Sequence, residues 1–289
     1  MTAAQHFNAS AASYEKMTGG CTRELACLVL DLPELAQVAF AESVVLDNAC
    51  GPGIVSEEIV HRYRKGIKYS ASPTHPPTIH AVDPAPNMVD IARSRVAALL
   101  GEDTRHLSTG IMPGEKLEFA DAMFTHSITN LGILFYSDGA AGARELHRTL
   151  KDGGVAIVTA WVELRYLDHV IRPSQKRVRP EDAVYQLPVS EDWFSVPYVK
   201  NCLSQGGGFR EVRMTEHIVH YGAATVHEVA ELLLASFQQV YKDWDEIEQQ
   251  QFREAVLEHT KNAVEEYTMP NGLPGVGIPM VAMVAVCTK

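Results

Sequence analysis

Residues 44–56 read VVLDNACGPGIVS. The apolar, mostly β-branched run Val44-Val45-Leu46 ends in the acid Asp47 and breaks into Asn48-Ala49-Cys50-Gly51-Pro52-Gly53, after which Ile54 to Tyr63 is helix-forming. That is strand, glycine turn, helix. Glycines in such a turn let a ligand approach the backbone closely, while the helix start offers unpaired N–H groups and the positive end of a dipole. A nucleotide-type cofactor is therefore expected, and three details narrow the choice. A phosphate loop needs a Gly-Lys-Ser/Thr ending, but Ile54-Val55-Ser56 follow Gly53. A dinucleotide fingerprint needs a third glycine or alanine where Ser56 stands. Asp47, just ahead of the turn, would repel a diphosphate and welcome a cation.

Working outward, Ile79-His80-Ala81-Val82-Asp83 repeats the pattern of a strand ending in an acid, and Met88 to Leu100 is an amphipathic helix. Further strands are expected at Arg105 to Ser108 and Met123 to Ile128, then a helix from Ala140 to Leu150 closed by Asp152-Gly153-Gly154. Val155 to Trp161 is the clearest strand. Strands alternating with helices imply an α/β fold: a doubly wound, Rossmann-like, mostly parallel sheet, expected to have seven strands, with its ligand at the strands' carboxyl ends.

The pattern predicts one domain over 1–289: a helical cap (1–40), a cofactor-binding core (41–161), two lid insertions (162–205 and 222–275) and a terminal strand (276–289). The Pro- and Ser-rich segment from Lys65 to Thr78 reads as a surface loop. Thr225 to Tyr267 reads as charged helix, and Gly277 to Cys287 as a strand at the sheet edge.

Composition removes whole classes of function. With 36 acidic against 25 basic residues the net charge is -11, which disfavours nucleic acid and anionic lipid as partners. A small molecule is the natural partner, to a monomer or homodimer. Five cysteines without a CxxC pair argue against a disulfide framework or thiolate zinc, and no metal site is expected from the scattered histidines. The N-terminal residues lack the pattern of a signal peptide, and no apolar run is long enough to span a bilayer, so a cytoplasmic location is expected.

Several blocks in order resemble the class I S-adenosylmethionine (SAM)-dependent methyltransferases. The first is VVLDNACGPGIVS, with Ala49 in place of the family's first glycine. HAVDPAPNMVDIAR (80–93), Leu117-Glu118-Phe119, Phe124-Thr125-His126 and the stretch from Ala143 to Gly154 resemble the later blocks. Tyr14 to Gly19 is similar to an N-terminal segment that covers the cofactor in fungal small-molecule methyltransferases of secondary metabolism, of the gliotoxin dithiol S-methyltransferase type. The resemblance implies SAM as cofactor, S-adenosylhomocysteine (SAH) as product, and methyl transfer to a thiol, hydroxyl or amine by in-line displacement. It implies cofactor contacts from Tyr14, Asp47, Asn48, Ala49, Gly51, Gly53, Asp83, Pro84, Met88, Thr129 and Asn130, with Asp83 on the ribose hydroxyls. Relatives commonly carry an adenine-binding Asp after the third strand; here Thr109-Gly110-Ile111-Met112 stands there, so Gly110, Ile111 and Met112 are expected to meet adenine through backbone and apolar contact.

No dedicated catalytic residue is identified; Thr129 and Asn130 are weak candidates. Trp161, Trp193, Phe194 and Tyr198 are candidates for an aromatic acceptor wall. Two rivals stand beside this reading. A nicotinamide-dependent oxidoreductase would predict a TyrxxxLys pair or a third glycine, and neither is present. The other is a methyltransferase-like protein that acts as a non-catalytic or trans-acting partner in a biosynthetic assembly.

Overall fold

The computed structural model describes residues 2–40, 42–67 and 75–289, so the centre of the expected 65–78 loop lies outside the described residues. The chain enters through α1 (Ala3–Ser10), a short 3-10 turn, α2 (Tyr14–Met17) and α3 (Cys21–Leu30). Then β1 (Val44–Asn48), α4 (Ile54–Ile67), β2 (Thr78–Asp83), α5 (Pro86–Leu100) and β3 (Leu107–Ile111) form the first half of the sheet. The second half starts with β4 (Phe124–Thr129), α6 (Gly139–Thr149) and β5 (Leu150–Glu163). After β5 come α7 (Arg172–Val178), α8 (Val196–Asn201), β6 (Glu211–Ala223), α9 (Val226–Ser236), α10 (Gln238–Tyr241), α11 (Glu246–Ala263), β7 (Glu265–Thr268) and β8 (Pro274–Thr288).

The strand order is β3-β2-β1-β4-β5-β8-β6, with the short β7 paired to β8. Neighbours from β3 to β5 run parallel, and β8 runs antiparallel to both β5 and β6. The doubly wound α/β expectation holds, with one strand beyond the seven-stranded path. Because β1 sits between β2 and β4, the chain leaves it toward opposite sides, and a crevice opens at the carboxyl ends of these strands.

Three expectations are corrected. The terminal strand is not at the edge: Val155↔Thr288 and Glu211↔Thr288 pair it on both sides, so β6 is the edge. Asp152-Gly153-Gly154 does not cap the preceding helix; it lies within β5, where Gly153 N–H donates to the carbonyl of Lys289. The 225–267 stretch is three helices followed by β7 rather than helix throughout.

The N-terminal helices are bound to the core by charge and by backbone. Arg23 of α3 pairs with Glu15 and with Glu57 and Glu58 of α4, and Arg95 of α5 pairs with Glu15 and Glu57. Gly222 N–H donates to the carbonyl of Gly19 at 2.9 Å, tying the cap to β6. At Asn8 the side-chain oxygen accepts from Asn87 N–H at 2.8 Å, which lays α1 against the start of α5. These contacts hold the cap over the crevice.

Candidate active site

The crevice contains a cavity of about 250 Å³. Ala49 and Gly51 line it after β1, Asp83, Pro84 and Met88 after β2, and Asn130, Leu131 and Gly132 after β4. The loop after β3 contributes Pro113, Gly114 and Glu115, and the cap contributes Thr2, Ala3, Ala4, Phe7 and Tyr14. Two carboxylates face this space, and among its lining residues there is no Lys, Arg or His.

Asp83 is 8% exposed. One carboxylate oxygen accepts from Gly51 N–H at 3.0 Å and the other from Ala85 N–H at 2.9 Å. The first bond joins the ends of β1 and β2, and the second shapes the bend into α5, where Pro86 fills a first-turn position that needs no donor. Burial nevertheless holds its carboxyl above the ordinary value, against those two bonds. A hydrogen-bond donor from a ligand would relieve that desolvation.

Asp47 lines a small recess beside the cavity together with Tyr14, Ala49, Gly51 and Asn130. It is 1% exposed and accepts from Ser56 N–H at 3.1 Å and the Ser56 hydroxyl at 2.6 Å, so it satisfies the first turn of α4. Burial pushes its carboxyl up to about 7, with the Ser56 bonds opposing. Asn48 and Thr129 are wholly buried behind the cavity, and both amide atoms of Asn48 and the hydroxyl of Thr129 lack a partner among the described residues. Tyr136 brings a third such group, its hydroxyl, to the same place, because a side chain added at Gly114 would meet both Tyr136 Oη and Asn48 Nδ2.

The turn itself carries a substitution with a visible consequence. Ala49 has φ +52°, a left-handed conformation that costs a residue with a Cβ about 1–2 kcal/mol. Its methyl fits because residue 132 is glycine: a Cβ there would lie 2.5 Å from that of Ala49. Gly53, at φ +82°, lets α4 start against α5, since a Cβ there would lie 2.8 Å from that of Ala92.

Asn130 is held by two hydrogen bonds. Its amide donates to the carbonyl of Thr22 at 3.0 Å, and its oxygen accepts from the Thr159 hydroxyl at 2.9 Å, whose oxygen in turn accepts from Leu131 N–H at 2.8 Å. It thus joins cap, β4 and β5 while lining the cavity. Tyr14 lines the cavity as well, its phenol pushed up to about 12 by burial.

The structure does not bring every candidate together. Gly110, Ile111 and Met112 do not line the cavity; Ile111 is 60% exposed, and Pro113 to Glu115 take that wall because the chain turns inward only there. Glu115 is steadied by Ser137, whose N–H and hydroxyl donate to it at 3.0 and 2.7 Å. Of the four aromatic candidates, Trp161 faces a second cavity beside the first, shared with Tyr14. Trp193 and Tyr198 pack on each other edge to face, and Phe194 lines a separate groove with Arg172 and Glu191. Sequence reading missed Phe7, Phe135, Tyr136, Tyr166, Tyr221 and Phe237.

Residues 45–154 match the family model of a methyltransferase domain. A protein named methyltransferase ucsB, from an Acremonium species, is 30% identical over 187 residues, covering 59% of this chain and 57% of its own. The ubiquinone/menaquinone biosynthesis C-methyltransferase UbiE of a Geobacter species is 29% identical over 39% of this chain and 43% of its own. The chain spans about half the length of the curated relatives it matches. Among solved structures, the phosphoethanolamine N-methyltransferase 2 of Haemonchus contortus, in complex with SAH, has a TM-score of 0.51 at 15% identity over 99% of this chain and 58% of that one. The [4+2]-cyclase SpnF has a TM-score of 0.51 at 17% identity over 92% and 80%. Over residues 45–154 the chain is thus similar to a methyltransferase domain, and its sheet has the fold of these two solved structures. Among the described residues no helix is long and apolar enough to cross a membrane.

Proposed function

We propose that the chain transfers a methyl group from SAM to a thiol, hydroxyl or amine of a small secondary metabolite. The observation that carries this reading is the charge of the cavity: Asp83 and Glu115 line it, and no cationic side chain does. A pyrophosphate would face two carboxylates with no counter-charge, whereas a ligand with a sulfonium and an ammonium group is matched. The donor set therefore fits SAM and disfavours a dinucleotide.

When bound, SAM supplies a methyl group already activated by positive sulfur. In this reading Asp83 would accept from the ribose hydroxyls, and Pro84, Met88, Pro113 and Gly114 would pack against the nucleoside. The turn at Ala49 and Gly51 receives the amino-acid end, and Asp47 supports that turn from behind. Tyr14 and Phe7 exclude water. The chain's contribution is alignment and desolvation, which together can supply about 7 to 11 kcal/mol. The fungal small-molecule type draws support from the VLDNACG turn and from the Acremonium relative. Segments 162–205 and 222–275 act as lids on one catalytic domain. The free thiols of Cys21, Cys27, Cys50, Cys202 and Cys287 accord with a cytoplasmic setting.

The test is calorimetric titration of SAM, SAH and NAD into the protein and into Asp83→Ala. Each charge-assisted bond contributes about 1.5 to 3 kcal/mol, so losing two weakens SAH about 100-fold or more. Binding of NAD in place of SAM and SAH would overturn the reading.

A further inference from the structure

The second cavity encloses about 170 Å³ and adjoins the first, since Phe7, Tyr14, Leu131 and Phe135 line both. Beyond this shared rim its wall is Trp161, Tyr166, Tyr221 and Phe237, drawn from β5, the segment after it, β6 and the end of α9. The rings pack in two groups: Phe7 meets Phe135 edge to face at 4.8 Å, and Tyr166 lies 5.2 Å from Tyr221 and 5.7 Å from Phe237. Two further walls are Cys21 and Thr22 of α3. No carboxylate, imidazole, ammonium or guanidinium lines this chamber.

A base is therefore missing where a reacting acceptor would sit. The titratable groups of the chamber are the phenols of Tyr14, Tyr166 and Tyr221 and the thiol of Cys21. Desolvation keeps them all protonated: Tyr14 and Cys21 are each pushed up to about 12, and Tyr166 and Tyr221 are moved in the same direction. A protonated phenol or thiol can donate a hydrogen bond but cannot take a proton from an acceptor.

We infer that the chamber is the acceptor site and that it works without a protein base, which selects a small, apolar, aromatic thiol as the methyl acceptor. The inference rests on the SAM reading of the neighbouring cavity. A thiol has a pKa of about 8.5 against about 10 for a phenol and about 10.4 for an alkyl amine. An ordinary thiol is thus a few per cent thiolate near neutral pH, while a phenol is far less ionised. An ammonium would enter with no partner in the wall, at a cost of several kcal/mol. The acceptor loses its proton to water before it enters. Its sulfur lone pair then bonds the methyl carbon as the carbon–sulfonium bond breaks, and that bond's electron pair stays on the departing thioether. Anion and cation cancel, so no proton remains to be moved. The size of the chamber, below the roughly 300 Å³ of a drug-sized site, suits one or two rings.

The test uses thiophenol, 4-nitrothiophenol and benzyl mercaptan, thiols of widely different acidity, with the corresponding phenols and alcohol. The kcat/KM profile reports groups of the free enzyme and free substrate. It should rise tenfold per pH unit and level off at each thiol's own pKa, with phenol and benzyl alcohol at least 100-fold slower. A midpoint common to all three thiols would reveal a protein base and overturn the inference, as would failure to turn over any thiol in a protein that binds SAH. Absence of SAH binding would instead sink the cofactor reading beneath it. A second readout needs no turnover: titration of thioanisole into the SAH-saturated protein should give binding that is lost in Ser236→Phe and in Phe237→Arg. Retained SAH binding identifies the variants that are folded, and thioanisole binding unchanged in either of them assigns the acceptor elsewhere.

Discussion

The two adjoining cavities are built by different means. The cavity at the strand ends is mostly backbone: three strand ends, a turn through Ala49 and Gly51, and the carboxylates of Asp83, which ends β2, and of Glu115 in the loop after β3. The aromatic chamber is mostly side chain, its rings arriving from elements as far apart as Phe7 and Phe237. Backbone sites are constrained at each residue by φ and by closeness, so a single methyl group is felt. Side-chain sites are constrained by volume and polarity summed over many contributors, so single changes there should be absorbed more readily.

The contrast is broken most directly at Gly53. Alanine there combines a left-handed φ with an approach of 2.8 Å to the Ala92 Cβ and 2.9 Å to its Cα. Strain of about 1–2 kcal/mol adds to overpacking of about 1–3 kcal/mol. Chemical unfolding should show a loss of about 3 kcal/mol, and a loss below about 1 kcal/mol would mean that the turn is not set by closeness to α5.

Gly132→Ala should cost about 2 kcal/mol for the same kind of reason. Here a partner can give way, because the obstructing atom is the Ala49 methyl. The double variant with Ala49→Gly should recover most of the loss, with a coupling of about 1–2 kcal/mol in a double-mutant cycle. Additive losses would show that the departure at Ala49 and the glycine at 132 are unrelated.

The same distinction explains what could be read in the sequence. The β1–α4 turn, Asp83 and Met88 were legible because local residue type fixes local backbone, and the alternation of elements fixes a parallel sheet. The place of β8 was not, since Val281 to Cys287 reads as a buried strand whichever neighbours it pairs with, and insertion between β5 and β6 is decided by which edges remain free. The inward turn at Pro113-Gly114-Glu115 was missed because residues 107–111 extend the strand past the expected Ser108 and move the loop along the chain. The chamber was missed for the opposite reason: no spacing relates Phe7, Tyr166 and Phe237, and an aromatic residue read alone is indistinguishable from core. Of the four aromatic wall candidates Trp161 alone lines the chamber, near the carboxyl end of β5.

Asp47 offers an effect that pH controls. Its carboxyl, raised to about 7 in the fold against an ordinary 3.8, binds its proton more readily in the folded than in the unfolded chain. Its contribution to stability is therefore greatest below about pH 4 and is lost as pH rises to about 7. Asp47→Asn keeps an oxygen for Ser56 and removes the charge, so melting temperatures should show the variant gaining on the parent between about pH 4 and about pH 8. A difference that does not change with pH would place the ionised carboxylate in a better-solvated setting than its 1% exposure implies.

The smallest effect belongs to the chamber. Tyr221 donates to the carbonyl of Met17 at 2.9 Å, and the Ser236 hydroxyl donates to the same carbonyl at 3.2 Å. Tyr221→Phe removes one of two donors and leaves no buried acceptor unpaired, so its cost should stay within about 0.5–1 kcal/mol. The ring remains to line the chamber, and its phenol has no proton to take. Chemical unfolding and the kcat/KM profile for thiophenol should therefore both lie close to the parent's. A Tyr221→Phe profile that loses its rising limb would make this phenol the base, and the side-chain region would then be as exacting at one atom as the backbone region is at Gly53.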